Sequence, residues 1–164
     1  MSILQPYITA LAERLVLPLE TSPNGSFLAR IAEKNMLITA PDGGDAILFY
    51  MEVGRPTMFL RGEVLTALME GNRFLAETRG AALSYDPQNE MVGLNLLLPL
   101  RQLEAEEFIN AVDNIVAAAA HWAERLETLN TEAGERAERI NAALTGGDEE
   151  TEPFSPETQV MLRA

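Results

Sequence analysis

The sequence predicts an α+β domain, an antiparallel five-stranded twisted sheet with three helices in the order α-β-β-β-α-β-β-α. Apolar residues recur with helical period near the start, in the middle and over a long final stretch. Between these stretches lie short runs in which apolar side chains alternate with period two. The connections between successive runs, such as Pro41-Asp42-Gly43-Gly44-Asp45, are short, as antiparallel neighbours require.

The first helix is expected over residues 3–15. Leu4, Ile8, Leu11 and Leu15 share one face, Ser2 and Gln5 fit a capping box, and Pro18 ends the helix. Pro6 falls in the first turn, where its missing N–H costs nothing. In residues 27–34 the apolar side chains at 27, 29 and 31 define one buried face, and Lys34-Asn35 reads as the turn into a second strand over 35–40. A third strand, 46–53, is apolar on both faces through Ile47, Leu48, Phe49, Tyr50 and Met51. Gly54-Arg55-Pro56 interrupts the sheet, and residues 61–71 form a short helix carrying Val64, Leu65, Leu68 and Met69.

Ala81, Leu83 and Tyr85 alternate in a fourth strand, which turns through Asp86-Pro87-Gln88-Asn89-Glu90. A fifth strand follows with Val92, Leu94, Leu96 and Leu98 in phase and Leu97 on its other face, and Pro99 stops it. The last helix starts near residue 103, with Glu104, Glu106 and Glu107 in turns where carboxylates suit the helix dipole. Phe108, Val112, Ile115, Ala119, Trp122, Leu126 and Leu129 run at spacings of four and three. Such a stripe fits a coiled-coil seam or a helix laid across a sheet, and the sheet is the reading adopted. The stripe continues more weakly through Ala133, Ala137, Ile140 and Leu144, with a bend or fraying expected at Gly134. One domain is therefore expected over residues 1–144. Residues 145–164, with the run Asp148-Glu149-Glu150-Thr151-Glu152-Pro153, read as an acidic, disordered tail. Its apolar end, Val160-Met161-Leu162, is either solvated or seated in a groove of its own or a neighbouring molecule.

Composition excludes several kinds of function. The 164 residues carry 25 Asp and Glu against 12 Lys and Arg, a net charge of −13 that repels phosphate backbones. No nucleic-acid partner is expected. The absence of cysteine removes disulfides, thiolate metal sites and a cysteine nucleophile, and the lone His121 removes a two-histidine site within one chain. No apolar run is long enough for a membrane span, and Met1-Ser2-Ile3-Leu4-Gln5-Pro6 lacks the basic region of a signal peptide, so the expected location is the cytoplasm.

Phosphate-binding loops, a G-x-S-x-G elbow, G-x-G-x-x-G and H-E-x-x-H are all missing. Asp42 and Asp45 lack the further acidic positions of a calcium loop, and His121 reads as structural. No catalytic, cofactor-binding or metal-binding residue is expected. A small hydrolase using two of the acids stays as a rival, without any pair marked out for it. What the chain does have is apolar surface beyond the needs of one core, including seven methionines, which suit adaptable binding surfaces. That favours a binding module.

The stretch Leu83-Ser84-Tyr85-Asp86-Pro87, then Glu90-Met91-Val92-Gly93-Leu94 and Leu97-Leu98-Pro99-Leu100, resembles the paired strands of class I type III secretion chaperones, the Tir chaperone (CesT-like) family. Phe108, Ile115, Ala119 and Trp122-Ala123-Glu124-Arg125-Leu126 are similar to that family's last helix, and Leu65-Thr66-Ala67-Leu68-Met69-Glu70-Gly71-Asn72 to its middle one. Here Arg73 intervenes before Phe74, and the chain after about residue 130 exceeds the family pattern.

The resemblance implies a secretion-chaperone-like homodimer without a cofactor in the bacterial cytoplasm. It would bind the N-terminal region of a secreted effector in extended form, keep it soluble and secretion-competent, and deliver it to the secretion ATPase. It further implies client contacts at Tyr7, Leu11, Phe27, Ala29, Ile31, Leu37, Phe49 and Met51, on the first helix and the exposed side of the sheet. A dimer interface is implied at Val64, Leu65, Leu68, Met69 and Leu83. The alternative is a dimeric adaptor or immunity-type protein that binds a folded partner.

Overall fold

A computed structural model describes residues 4–15, 20–22, 25–31, 33–41 and 44–145. The elements are α1 (Gln5–Leu15), β1 (Glu20–Thr21), β2 (Phe27–Ile31), β3 (Lys34–Thr39), β4 (Ala46–Gly54), α2 (Arg61–Glu70), β5 (Ala82–Asp86), β6 (Met91–Pro99) and α3 (Ala105–Thr145). The sheet is antiparallel with strand order β1-β2-β3-β4-β6-β5. It has six strands where five were expected, because Glu20 and Thr21 pair with Leu28 and Phe27 as a two-residue edge. So short a strand carries no alternation from which a sequence could announce it.

Register fixes the faces. Phe27 lies opposite Ile38, and Ile38 opposite Phe49; Ala29 likewise lines up with Met36, and Met36 with Met51. These residues, with Ile47, Val53, Val92, Leu94 and Leu83, form one continuous apolar face of the sheet. The helices cover it: Leu4, Ile8 and Leu11 of the α1 region, Val64 and Leu68 of α2, and the α3 stripe from Phe108 through Leu129 to Ala133 all join the same core. Phe108 is the central wedge, its ring 5.3 Å from those of both Phe49 and Tyr7. Trp122 reaches α2 at Gly71, where an added Cβ would come within 2.0 Å of the indole, so only glycine permits this approach.

Several local expectations are corrected. Lys34 and Asn35 lie in β3 rather than in a turn before it: Ile31 pairs with Lys34 and Arg30 with Asn35, and Glu33, just before β3, takes a positive φ of 64°. β6 does end at Pro99, its last residue, opposite Ala46. α3 runs unbroken through Gly134 for 41 residues, about 60 Å at the usual rise per residue. A single glycine removes only some propensity, and the hydrogen bonds on either side carry the helix across. Ser2, Pro18, Asp42 and the whole tail from residue 146 lie outside the described residues.

Candidate functional site

All three helices pack on one side of the sheet, which leaves its other face open. On that face one cross-strand row runs Leu28, Leu37, Tyr50, Asn95, Ala82, and the next runs Thr39, Leu48, Leu97. Leu28 is 40% exposed and Leu97 60%, while Leu37, Leu48 and Tyr50 are half-buried by one another. The result is an apolar patch across four strands without a covering element among the described residues.

Toward β5 the face turns polar. Asn95 Nδ2 donates to Ser84 Oγ at 2.6 Å. A second polar pair lies at the other side of Tyr50, between β3 and β4, where Glu52 Oε2 accepts from Asn35 Nδ2 at 2.9 Å. Tyr50 marks the boundary. Its ring lies over Gly93, where a Cβ would approach it to 2.3 Å, so the glycine makes room for a flat aromatic floor. Burial, and then the carboxylates of Glu52 and Asp86, push the Tyr50 phenol above its ordinary pKa.

The client residues expected from the resemblance do not share this face. Phe27, Ala29, Phe49 and Met51 are buried in the core on the helix-covered side, and Leu11 is buried beneath α1. Ile31 is half-buried against the same core, and Tyr7 donates its hydroxyl to Leu103 C=O at 3.0 Å. Leu37 alone of the strand residues points to the open side. The placement of the others on an exposed face is therefore corrected. The set mixed two parities, and the parity shared by Phe27, Met36, Ile38, Phe49 and Met51 is the one with helices to bury it. Leu28, Leu48, Tyr50 and Leu97, which do lie on the open face, were not in the expected client set. The signal was present in β2, where Leu28 shares its parity with the charged Arg30.

The residues expected at a dimer interface, four on α2 and Leu83 on β5, divide in the same way. Val64, Leu68 and Leu83 pack into the core and Leu65 is half-buried, whereas Met69 is exposed. Near it the loop after α2 carries Phe74, 87% exposed, with the Arg73 guanidinium 5.5 Å from its ring centroid. Met58, Phe59 and Leu75 are also exposed apolar residues flanking α2 in the chain. The cleft between α2 and α3 is lined by Val64, Ala67, Leu129 and Ala133 and bridged by the Arg136–Glu63 ion pair.

Among the described residues no group of three or more His, Cys, Asp or Glu is placed to hold a metal ion, and no helix is long and apolar enough to cross a membrane. His121 is exposed, with its ring edge-on to Trp122 at 5.7 Å. The buried polar residues among those described are Ser26 and Thr78, both hydrogen-bonded: Ser26 Oγ to Thr39 Oγ1, and Thr78 Oγ1 to backbone carbonyls.

Solved structures share the fold, among them the following three. A chain of the ExsC–ExsE complex matches at 18% identity and TM-score 0.64, covering 77% of this chain and 97% of its own. A chain from the Yersinia pestis type III secretion chaperone SycH in complex with a stable fragment of YscM2 matches at 16% identity and TM-score 0.54, covering 71% and 97%. A chain of the heterodimeric ExoU–SpcU complex from the type III secretion system of Pseudomonas aeruginosa matches at 19% and 0.53, covering 74% and 94%. No curated protein matches the chain in sequence at a significant level. The model of the Tir chaperone protein (CesT) family matches residues 7–123, from α1 to within α3. With that span covering well over half of its length, the chain belongs to the Tir chaperone protein (CesT) family.

Proposed function

We propose that this protein is a type III secretion chaperone that holds the N-terminal segment of a secreted effector in extended form and keeps it soluble for export. The observation that carries the reading is the open sheet face: Leu28, Leu37, Leu48, Tyr50 and Leu97 form an apolar surface left over after the core is complete. An extended chain laid across such a surface places alternate side chains on it. Family membership supports the same reading, as does the fold shared with a type III secretion chaperone in complex with a protein fragment and with a chain of a type III secretion heterodimer. The excess negative charge keeps a protein with exposed leucines from associating nonspecifically.

The client surface proposed here is therefore Leu28, Leu37, Leu48, Tyr50 and Leu97, with only Leu37 retained from the sequence-based set. The protein acts as a homodimer in this proposal, joined through the exposed side of α2 at Leu65 and Met69 and through Phe74 of the loop beyond it. Val64, Leu68 and Leu83 support that surface from beneath. No catalytic role is proposed. The site of action is the bacterial cytoplasm, and hand-over to the secretion ATPase follows from the chaperone reading.

Light scattering tests this directly. The purified chain should show a mass near twice 18.0 kDa. Co-expression with the first hundred or so residues of the secreted proteins of the same bacterium should yield a 2:1 complex with at least one, in which the client stays extended. Phe74→Asp should shift the free protein toward monomer. A monomer that captures none of these segments overturns the proposal; capture only of a folded partner favours the adaptor alternative.

A further inference from the structure

β5 is one outer edge of the sheet, bonded to β6 on a single side. In antiparallel pairing alternate residues turn both backbone groups away from the neighbouring strand, and an edge that leaves them free is a template for another strand. Here Leu83 turns outward, and both its groups are taken by one side chain. Its N–H donates to Asn72 Oδ1 at 2.7 Å, and its C=O accepts from Asn72 Nδ2 at 3.1 Å. A primary amide offers a donor and an acceptor side by side, the pair that a residue of an adjoining strand would offer.

Ala81, the residue just before β5, is closed as well. Its N–H donates to Thr78 C=O at 3.1 Å, and its C=O accepts from the buried Thr78 Oγ1. Both clamps belong to the loop that follows α2. That loop is held in a demanding shape, with Phe74, Leu75 and Arg79 at φ of 59°, 53° and 54°, and Gly80 at 87°. Left-handed backbone at three residues other than glycine is adopted only where the surroundings enforce it, and here two hydrogen bonds from Asn72 pin the loop to the strand while two between Thr78 and Ala81 close its end.

We infer that Asn72 is an edge lock, standing in for a neighbouring strand on β5 so that this edge does not pair with the β5 of a second copy. Self-association near this edge then rests on side chains and not on a continued sheet. The inference is independent of what client the protein serves.

The chain has no cysteine, so a single introduced thiol reports unambiguously. Ser84→Cys places one at the middle of β5, and antiparallel edge-to-edge pairing of two copies centred on that residue sets the two thiols opposite each other. Under mild oxidation the S84C protein should form few disulfide-linked pairs. S84C with Asn72→Ala should form roughly tenfold more, as expected when the hydrogen bonds that close the edge are lost. Asn72→Asp, which keeps the acceptor for the Leu83 N–H and loses the donor, should fall between.

A parent S84C protein that already links efficiently overturns the inference. So does a folded N72A/S84C variant, by circular dichroism, that links no more than the parent. Hydrogen exchange on the unaltered chain decides the matter even if the N72A variant does not fold. The Leu83 amide should exchange at least about tenfold more slowly than that of Tyr85, which shares its outward orientation without the Asn72 clamp. Equal rates would mean that the amide does not hold the edge.

Discussion

The two faces of the sheet are built from the same strands and have opposite fates. In β4, Ile47, Phe49, Met51 and Val53 are wholly buried, while Leu48, Tyr50 and Glu52 between them look outward. Composition does not separate the faces, since leucines and aromatic rings occur on both. What separates them is a covering: α1 and α3 lie on one face, and no described element lies on the other. Apolar residues on the covered face hold the fold together, and the same residue types on the open face are left available for a partner. In the proposed function that face is the binding surface, and its alteration need not disturb the core.

Three substitutions or titrations sharpen this contrast. Phe49→Ala, which removes the ring packed 5.3 Å from Phe108, should lower unfolding free energy by about 3–5 kcal/mol in denaturant titration. A loss below 1 kcal/mol would mean that this face is not the core. Leu97→Ser, on the opposite side of the neighbouring strand, should change stability by no more than about 0.5 kcal/mol. Combined with Leu37→Ser it should weaken capture of an effector segment roughly tenfold or more, read by isothermal calorimetry. If capture survives while Phe49→Ala abolishes it in a folded protein, the assignment of faces is reversed.

The smallest effect is at the β5–β6 turn that borders the polar part of the open face. The Asn89 side chain, then the Gln88 N–H, hold the Asp86 carboxyl below the ordinary carboxylate range, against some opposing desolvation. A carboxyl so depressed stabilises the fold fully above its unfolded value, about pH 4, and loses that contribution as pH falls through the lower folded value. Nuclear magnetic resonance titration should place the Asp86 midpoint below that of an unstructured aspartate, and Asn89→Ala should raise it. An unchanged midpoint in that variant would remove the turn from the account of the site.

Much of this was legible in the sequence for a simple reason: period determines which residues of an element share a face. The stripe from Phe108 to Leu129, the alternation of Val92 and Leu94 and the loop before Ala46 locate the last helix, β6 and the β3–β4 hairpin from local pattern alone. The acidity and the motifs quoted from residues 65–72 and 83–100 already pointed to the family. Tertiary structure decided which side of each apolar strand the helices cover, because alternation gives two faces and only packing chooses between them. It decided that Phe27, Ala29, Phe49 and Met51 are core while Leu28, Leu48 and Leu97 are surface. It also decided the use of Asn72, whose amide meets Leu83 across eleven positions of chain, a contact no local pattern encodes.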